Sequence, residues 1–273
     1  MINVLLSGNA GVKKGIRLNI LSALEHTKAP IHFYVFTMDL RPYGDGEMGI
    51  PLQEEDFAPL FSLLKETNPE NELSLIDVSK DFIEAFDDTP NRHPKYSPYT
   101  LIRLFSDLYI DGDKLIYLDA DTMVNNSLEE FAKIDIEGKE LAICLDYMGR
   151  FWIRKDYFNA GVIYFNLKEC RKSGLLERSI KLLQEKKLYF ADQSALYQCS
   201  SQRVYMPMDY NEQRSVKKTT VIKHFCKGVV YFPLFKIYNV KQWEVSKVHS
   251  FLKMHDFDDV YAKYEKLFGE KLS

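Results

Sequence analysis

The 273-residue sequence has no apolar run approaching the ~18 residues that a bilayer-spanning helix requires. Its opening stretch, Met1-Ile2-Asn3-Val4-Leu5-Leu6, is only briefly apolar and lacks the basic start of a secretion signal, so it reads as a first strand. Cysteine is scarce. Cys144, Cys170, Cys199 and Cys226 are widely spaced and form no C-x-x-C pair, which argues against a disulfide framework and against a thiolate zinc site. Reduced thiols in a cytoplasmic protein are the expectation. A dominant charge of one sign is also missing: the formal net charge is -3, and the pairs Lys13-Lys14, Lys186-Lys187 and Lys217-Lys218 are scattered. A nucleic-acid partner would need a basic patch, and none is present. There is no G-x-S-x-G elbow of the kind a serine hydrolase uses, no internal repeat and no low-complexity segment.

What is present fits an ordered α/β chain. Hydrophobic residues at 46% and charged residues at 27% exclude disorder. Val4–Leu6 reads as a buried strand, followed by the small-residue turn Ser7-Gly8-Asn9-Ala10-Gly11. Ile16, Ile20, Leu21 and Leu24 recur at helical spacing, and Ile31, Phe33, Val35 and Phe36 mark a second strand. A β-α-β unit of this kind points to a parallel sheet with helices on its faces. Further strands are expected at 73–78, 115–118, 141–145 and 162–165. Helices are expected around 57–64, 99–109, 173–187, 192–199 and 257–268, with loops at 41–51 and 87–98.

The stretch Leu115-Ile116-Tyr117-Leu118-Asp119-Ala120-Asp121 is the most informative. A buried strand ends in two carboxylates one residue apart, at the strand end where open α/β sheets bind ligands. In extended chain, side chains two apart point the same way, so both acids can face one hard cation that would neutralise a diphosphate leaving group. An Asp-x-Asp alone leaves a cation site and a solvated turn both open. Asp111-Gly112-Asp113 shows the same pattern ahead of the strand, where Asp-Gly reads as a plain turn.

Four further segments accompany the acidic pair in order. They are Tyr99–Arg103, Tyr157-Phe158-Asn159-Ala160-Gly161-Val162, Asp192-Gln193-Ser194 and His224-Phe225-Cys226. Together the five resemble the retaining glycosyltransferases of family eight, the group of glycogenin and the bacterial lipopolysaccharide galactosyl- and glucosyltransferases. The likeness runs from the first strand to about Trp243. It implies a single GT-A-type domain over residues 1–244 with a mostly parallel sheet flanked by helices, and a short helical C-terminal extension, 245–273, packed on it.

The resemblance also implies roles. Asp119, Asp121 and His224 would hold Mn²⁺, with Mg²⁺ as the other option; imidazole suits Mn²⁺ better. Ser7, Asn9, Arg103, Ala120, Asp146, Asn159 and Ala160 would contact a UDP-sugar donor. Gln193 would lie near the reacting carbon, and Asp192 would bind the sugar and stabilise positive charge there. A hexose, glucose or galactose, would pass to a glycan or lipid-linked glycan acceptor. That fits a cytoplasmic protein with peripheral contact at the inner face of the membrane, although 245–273 carries mixed charge and no basic amphipathic face.

Two departures from the family pattern stand out. The turn after the first strand has no aromatic or acidic residue for uracil. The lysine that follows the histidine is displaced: either Lys241, of Lys241-Gln242-Trp243, or Lys227 would meet the diphosphate, with the aromatic stretch Tyr231–Phe235 between them. A nucleotide-sugar-binding protein without transfer activity, or a nucleotidyltransferase, are the alternative readings. Two adjacent carboxylates without their cation should also repel, so Asp121→Asn is expected to cost no stability.

Overall fold

A computed structural model describes residues 1–230 and 236–273; the aromatic stretch Tyr231–Phe235 lies outside the described residues. Alternation along β1 (Ile2–Ser7) sets the plan. Val4 and Leu6 enter one apolar core and Leu5 enters the other, on the opposite face of the sheet. α1 (Lys13–His26) covers the first face with Ile16, Ile20, Leu21 and Leu24. β2 (Ile31–Thr37), α2 (Ala58–Thr67) and β3 (Glu72–Asp77) follow, and then α3 (Ser79–Phe86), which buries Phe82 and Phe86 on the second face.

The central sheet also contains β4 (Lys114–Leu118), β6 (Leu141–Leu145), β7 (Phe158–Asn166) and β8 (Arg203–Tyr205), while β5 (Thr122–Val124) pairs outside it. The seven strands lie in the order β3-β2-β1-β4-β7-β6-β8. β1 pairs in parallel with β2 and β4, as do β2 with β3 and β6 with β8, whereas β7 is antiparallel to both of its neighbours. The sheet is therefore mostly parallel, as expected. The reversed strand matters for function. Leu118 pairs with Val162 and Leu145 with Phe158, so the start of β7 lies beside the ends of β4 and β6. Strand order also reverses at β1, which opens a crevice at that same edge.

β5 continues from the acidic turn and pairs with β9 (Ile222–His224), and β10 (Gly228–Val230) pairs with β11 (Lys236–Tyr238). The second core is closed by α4 (Leu167–Ser173), α5 (Leu175–Glu185) and α6 (Ala191–Cys199). At the C-terminus α7 (Asp258–Phe268) packs on α1, sharing its core through Val260, Tyr261 and Tyr264.

Four expectations change. Tyr99–Tyr109 is no continuous α-helix: Pro98–Phe105 winds as a 3-10 helix and only Ser106–Tyr109 is α. The 173–187 helix is interrupted at Gly174, whose φ of 65° ends α4 and begins α5. The 162–165 strand extends back to Phe158, and α3 and α4 were not foreseen.

Candidate active site

β4 ends at Leu118, and the next residues form a tight turn in which the Thr122 N–H donates to the Asp119 carbonyl at 3.1 Å. That turn aims both carboxylates into the crevice, while the Asp119 N–H is tied to the Gly161 carbonyl at 2.8 Å. Pairing of Thr122 with His224 brings the imidazole to the same point from about a hundred residues further on. His224 Nε2 lies 3.2 Å from Asp121 Oδ1 and 4.0 Å from Asp119 Oδ2. By contrast, Asp111 and Asp113 sit exposed in a turn ahead of β4, away from the crevice.

The residues around the imidazole fix its chemistry. His224 Nδ1 is 3.0 Å from Asn211 Oδ1, which can only accept, so Nδ1 carries a proton and Nε2 is the nitrogen that faces the carboxylates and could ligate a cation. Asn211 in turn donates to Asn159 Oδ1 at 3.0 Å, and that oxygen also accepts the Gly161 N–H at 2.9 Å. A Cβ at position 161 would overlap the His224 ring, so a glycine is what lets the imidazole lie against β7. One imidazole nitrogen and two carboxylates whose ligand atoms lie within 4.8 Å of one another could hold a divalent cation. A histidine whose other nitrogen is anchored is the usual form of such a ligand.

Asp119 is braced from behind. Arg103, 2% exposed, donates to Asp119 Oδ1 at 3.0 Å, to the Ala160 carbonyl and to the Thr100 carbonyl at 2.8 Å. It also pairs with Asp192 at 3.1 Å, and its guanidinium stacks 3.9 Å from the Tyr117 ring centroid. Burial opposes the charge on Arg103, but Asp192, Tyr117 and Asp119 outweigh it and raise its pKa. Burial raises the Asp192 carboxyl, which Arg103 and the Thr100 hydroxyl at 2.8 Å restrain. Tyr117 donates to Asp119 at 2.7 Å, and its hydroxyl is 3.0 Å from Ser7 Oγ.

Lys241 completes the cluster, with Nζ 2.5 Å from Asp121 Oδ2. Burial would raise the Asp121 carboxyl, yet His224 and Lys241 hold it well below the usual carboxylate range. This corrects the expectation that Asp121 is a repelled carboxylate: the lysine compensates it. The neighbours of Lys241 grip the same turn. Gln242 donates to the Ala120 carbonyl at 2.7 Å, and Trp243 packs where a Cβ on Gly15 of α1 would otherwise project. Lys227 lies on the rim, 5.1 Å from the Tyr96 ring centroid.

Every residue named from the sequence as a metal or donor candidate lines one cleft of about 790 Å³. Several are already engaged. Asn9 donates to the Met48 carbonyl at 2.7 Å and accepts from the Gly11 N–H at 3.1 Å. Asp146 accepts from the N–H groups of Met148 and Gly149 and from Asn159. Gln193 Oε1 accepts the Ala160 N–H at 3.0 Å. Tyr117, Thr100, Asn211 and Gln242 were missed by sequence reasoning. Tyr117 alone carried a signal, since it lies two residues before Asp119 on a strand and so shares its face.

The model of glycosyl transferase family 8 matches residues 14–230. The chain belongs to this family. Among relatives of this family-8 chain, glycosyltransferase GlyD of Streptococcus pneumoniae is 29% identical over 178 residues, covering 65% of this chain and 19% of GlyD. A putative glycosyltransferase of Haemophilus influenzae is 24% identical over 246 residues, 85% of this chain and 61% of that protein. A lipopolysaccharide 1,2-glucosyltransferase of Escherichia coli is 25% identical over 203 residues, 57% and 59% respectively. The chain thus spans 19% to 61% of the length of these curated relatives. Among solved structures, an active-site mutant of LgtC superposes with a TM-score of 0.69 at 20% identity, covering 98% of this chain and 95% of LgtC. The bifunctional glycosyltransferase WbbM gives 0.68 at 17% identity, over 100% of this chain and 52% of WbbM. These neighbours share the GT-A-type fold of the family-8 chain.

Proposed function

We propose that this chain is a metal-dependent retaining hexosyltransferase, moving glucose or galactose from a UDP-sugar to a hydroxyl of a glycan or lipid-linked glycan in surface-glycan synthesis. One observation carries this reading: Asp119, Asp121 and His224 converge at the strand-order reversal of the sheet, with Lys241 beside them. LgtC has been crystallised as a galactosyltransferase with donor and acceptor sugar analogues, which supports a sugar donor for this cleft too.

Asp119, Asp121 and His224 would hold Mn²⁺, which would neutralise charge on the departing diphosphate. Lys241 adds positive charge at the same point. The tie from Asp192 through Arg103 to Asp119 keeps that carboxylate in place before the donor arrives, so little reorganisation is needed during reaction. Ala160 N–H fixes the Gln193 amide at the cleft wall. An amide is a poor nucleophile and its carbonyl already accepts the Ala160 N–H, so Gln193 would lie beside the reacting carbon while the Asp192 carboxylate would stabilise positive charge developing there. Asp146 and Asn159, bonded to each other at 3.0 Å, present polar groups to sugar hydroxyls. Residues 1–244 act as the transferase domain and 245–273 as a brace on α1. No helix among the described residues is long and apolar enough to cross a membrane. A cytoplasmic setting with peripheral membrane contact fits the proposed acceptors.

The test is turnover of UDP-glucose and UDP-galactose with and without Mn²⁺, with the anomeric proton of the product followed by NMR. An α-linked product formed only with Mn²⁺ is expected. A β-linked product, or equal use of GDP- and UDP-sugars, would overturn the retaining, uridine-specific reading.

A further inference from the structure

Between β6 and β7 the chain makes a helical turn, Gly149–Trp152, whose outward residues are large and apolar. Phe151 is 68% exposed, Trp152 76% and Ile153 43%. Single exposed apolar side chains are ordinary, whereas a contiguous group marks a contact surface. The turn is fastened at both ends. Asp146 Oδ1 accepts the N–H groups of Met148 and Gly149 at 3.0 and 2.6 Å, and the Gly149 carbonyl accepts those of Ile153 and Arg154 at 2.8 and 3.2 Å. The projection is therefore built into the backbone.

Cations bracket the apolar group. Arg150 precedes it, with its guanidinium 4.7 Å from the Phe151 ring centroid, and the exposed Arg154 and Lys155 follow. The one acid in this stretch, Asp156, is turned toward Tyr197 and Arg154. An aromatic knob with a cationic collar complements the interfacial layer of an anionic bilayer, where tryptophan rings settle and lipid phosphates attract lysine and arginine. A soluble glycan fits it less well. A sugar in the cleft could cover Trp152 and Ile153, which line its mouth, but not Phe151, which does not. It would also supply no anion to Arg150 and Lys155, which Asp156, turned to Arg154, leaves unpaired among the described residues.

We propose that Phe151, Trp152 and Ile153 insert into the headgroup layer of an anionic membrane, with Arg150, Arg154 and Lys155 on lipid phosphates. The donor cleft then opens at the bilayer surface. This deepens the transferase reading, which it takes as its basis, by selecting acceptors carried on the membrane.

The full chain should sediment with vesicles of phosphatidylglycerol and phosphatidylcholine and not with phosphatidylcholine alone. The sequence has two tryptophans, and Trp243 is packed near Gly15, so a blue shift of emission on adding vesicles reports Trp152. Phe151→Ser should lower partitioning about ten-fold. Lys155→Gln should lower it about five-fold at low salt and much less at high salt. Absence of vesicle binding overturns the proposal, as does sedimentation with unchanged emission, which means contact through charge alone. It is equally overturned if Phe151→Ser binds vesicles like wild type while losing transfer to a lipid-free sugar acceptor, which would make the knob an acceptor platform. Mn²⁺-dependent hydrolysis of UDP-sugar, measured without vesicles, reads the transferase site separately. Intact hydrolysis without vesicle binding sinks this proposal alone, and vesicle binding without hydrolysis sinks the transferase reading and, with it, the selection of acceptors, while the membrane contact stands.

Discussion

Lys241 rests on the carboxylate that a divalent cation would need, so Lys241→Met tests whether lysine and cation compete for it. Nζ is 2.5 Å from Asp121 Oδ2 and 3.2 Å from the Phe225 carbonyl, in a setting where the lysine and aspartate side chains keep 23% and 18% of their exposure. Removing one partner of a fully buried pair costs ~3–5 kcal/mol. Partial exposure, and the His224 nitrogen still 3.2 Å from the other Asp121 oxygen, bring this to ~1–2 kcal/mol. Purified without metal, the variant should melt a few degrees lower than wild type. Cation binding behaves in the opposite sense. In wild type the lysine must leave Asp121 before a cation can take it, and in the variant nothing has to leave. Mn²⁺ alone should therefore bind the variant more tightly, by ~5–30-fold if the whole ~1–2 kcal/mol is recovered. UDP in the presence of Mn²⁺ should bind more weakly, because a charge opposite the diphosphate is gone. Titrating free Mn²⁺ by electron paramagnetic resonance, with and without UDP, separates the two effects. Unchanged melting together with unchanged or weaker Mn²⁺ binding would refute the competition.

Asp121→Asn should abolish Mn²⁺-dependent turnover and, because it strands Lys241, lower stability by ~1–2 kcal/mol; Asp113→Asn, in the exposed turn, should match wild type in both assays. Gly161→Ala should push the imidazole off β7, weakening Mn²⁺ binding in a calorimetric titration and costing ~1–3 kcal/mol in urea unfolding. Arg103→Lys keeps the charge but cannot reach Asp119, Asp192, Thr100 and Ala160 together, so ~3 kcal/mol and most activity should be lost. Asp56, 2.9 Å from Lys13, supplies a pH test away from the site. Burial would raise its carboxyl, but the Gln53 N–H, Lys13 and Arg17 lower it below its unfolded value. Its contribution is therefore fully present above the unfolded pKa of about 3.9 and is lost as pH falls through the folded value. The stability gap between wild type and Asp56→Asn should be constant near neutral pH and close only below about pH 4.

The features that could be read from the sequence are those written within a few residues of each other. β1 and β4 announce themselves as short apolar runs, and the acidic pair is informative because it ends β4 where Asp111 and Asp113 merely precede it. What stayed hidden depends on pairing at a distance. Asn159-Ala160-Gly161 has the composition of a turn, yet all nine residues of β7 are buried, because β4 and β6 pair with its edges and an apolar core covers each of its faces. The apolar spacing of Tyr99–Tyr109 satisfies three or 3.6 residues per turn, and packing chose the tighter winding for its first part. The resemblance offers Lys241 beside Lys227, and what the lysine's own stretch does not spell out is the contact with Asp121, 120 positions away, that sets it at the acidic turn. Pairing is also what would have exposed the missed residues. Once Thr122 is set opposite His224, the imidazole lies at the acidic turn, its second nitrogen needs an acceptor, and Asn211 fills that place. Asn159 is then the partner of Asn211, and Gly161 the residue that leaves room for the ring. A single antiparallel register, β5 on β9, thus links the local motif to most of the site that the motif does not spell out.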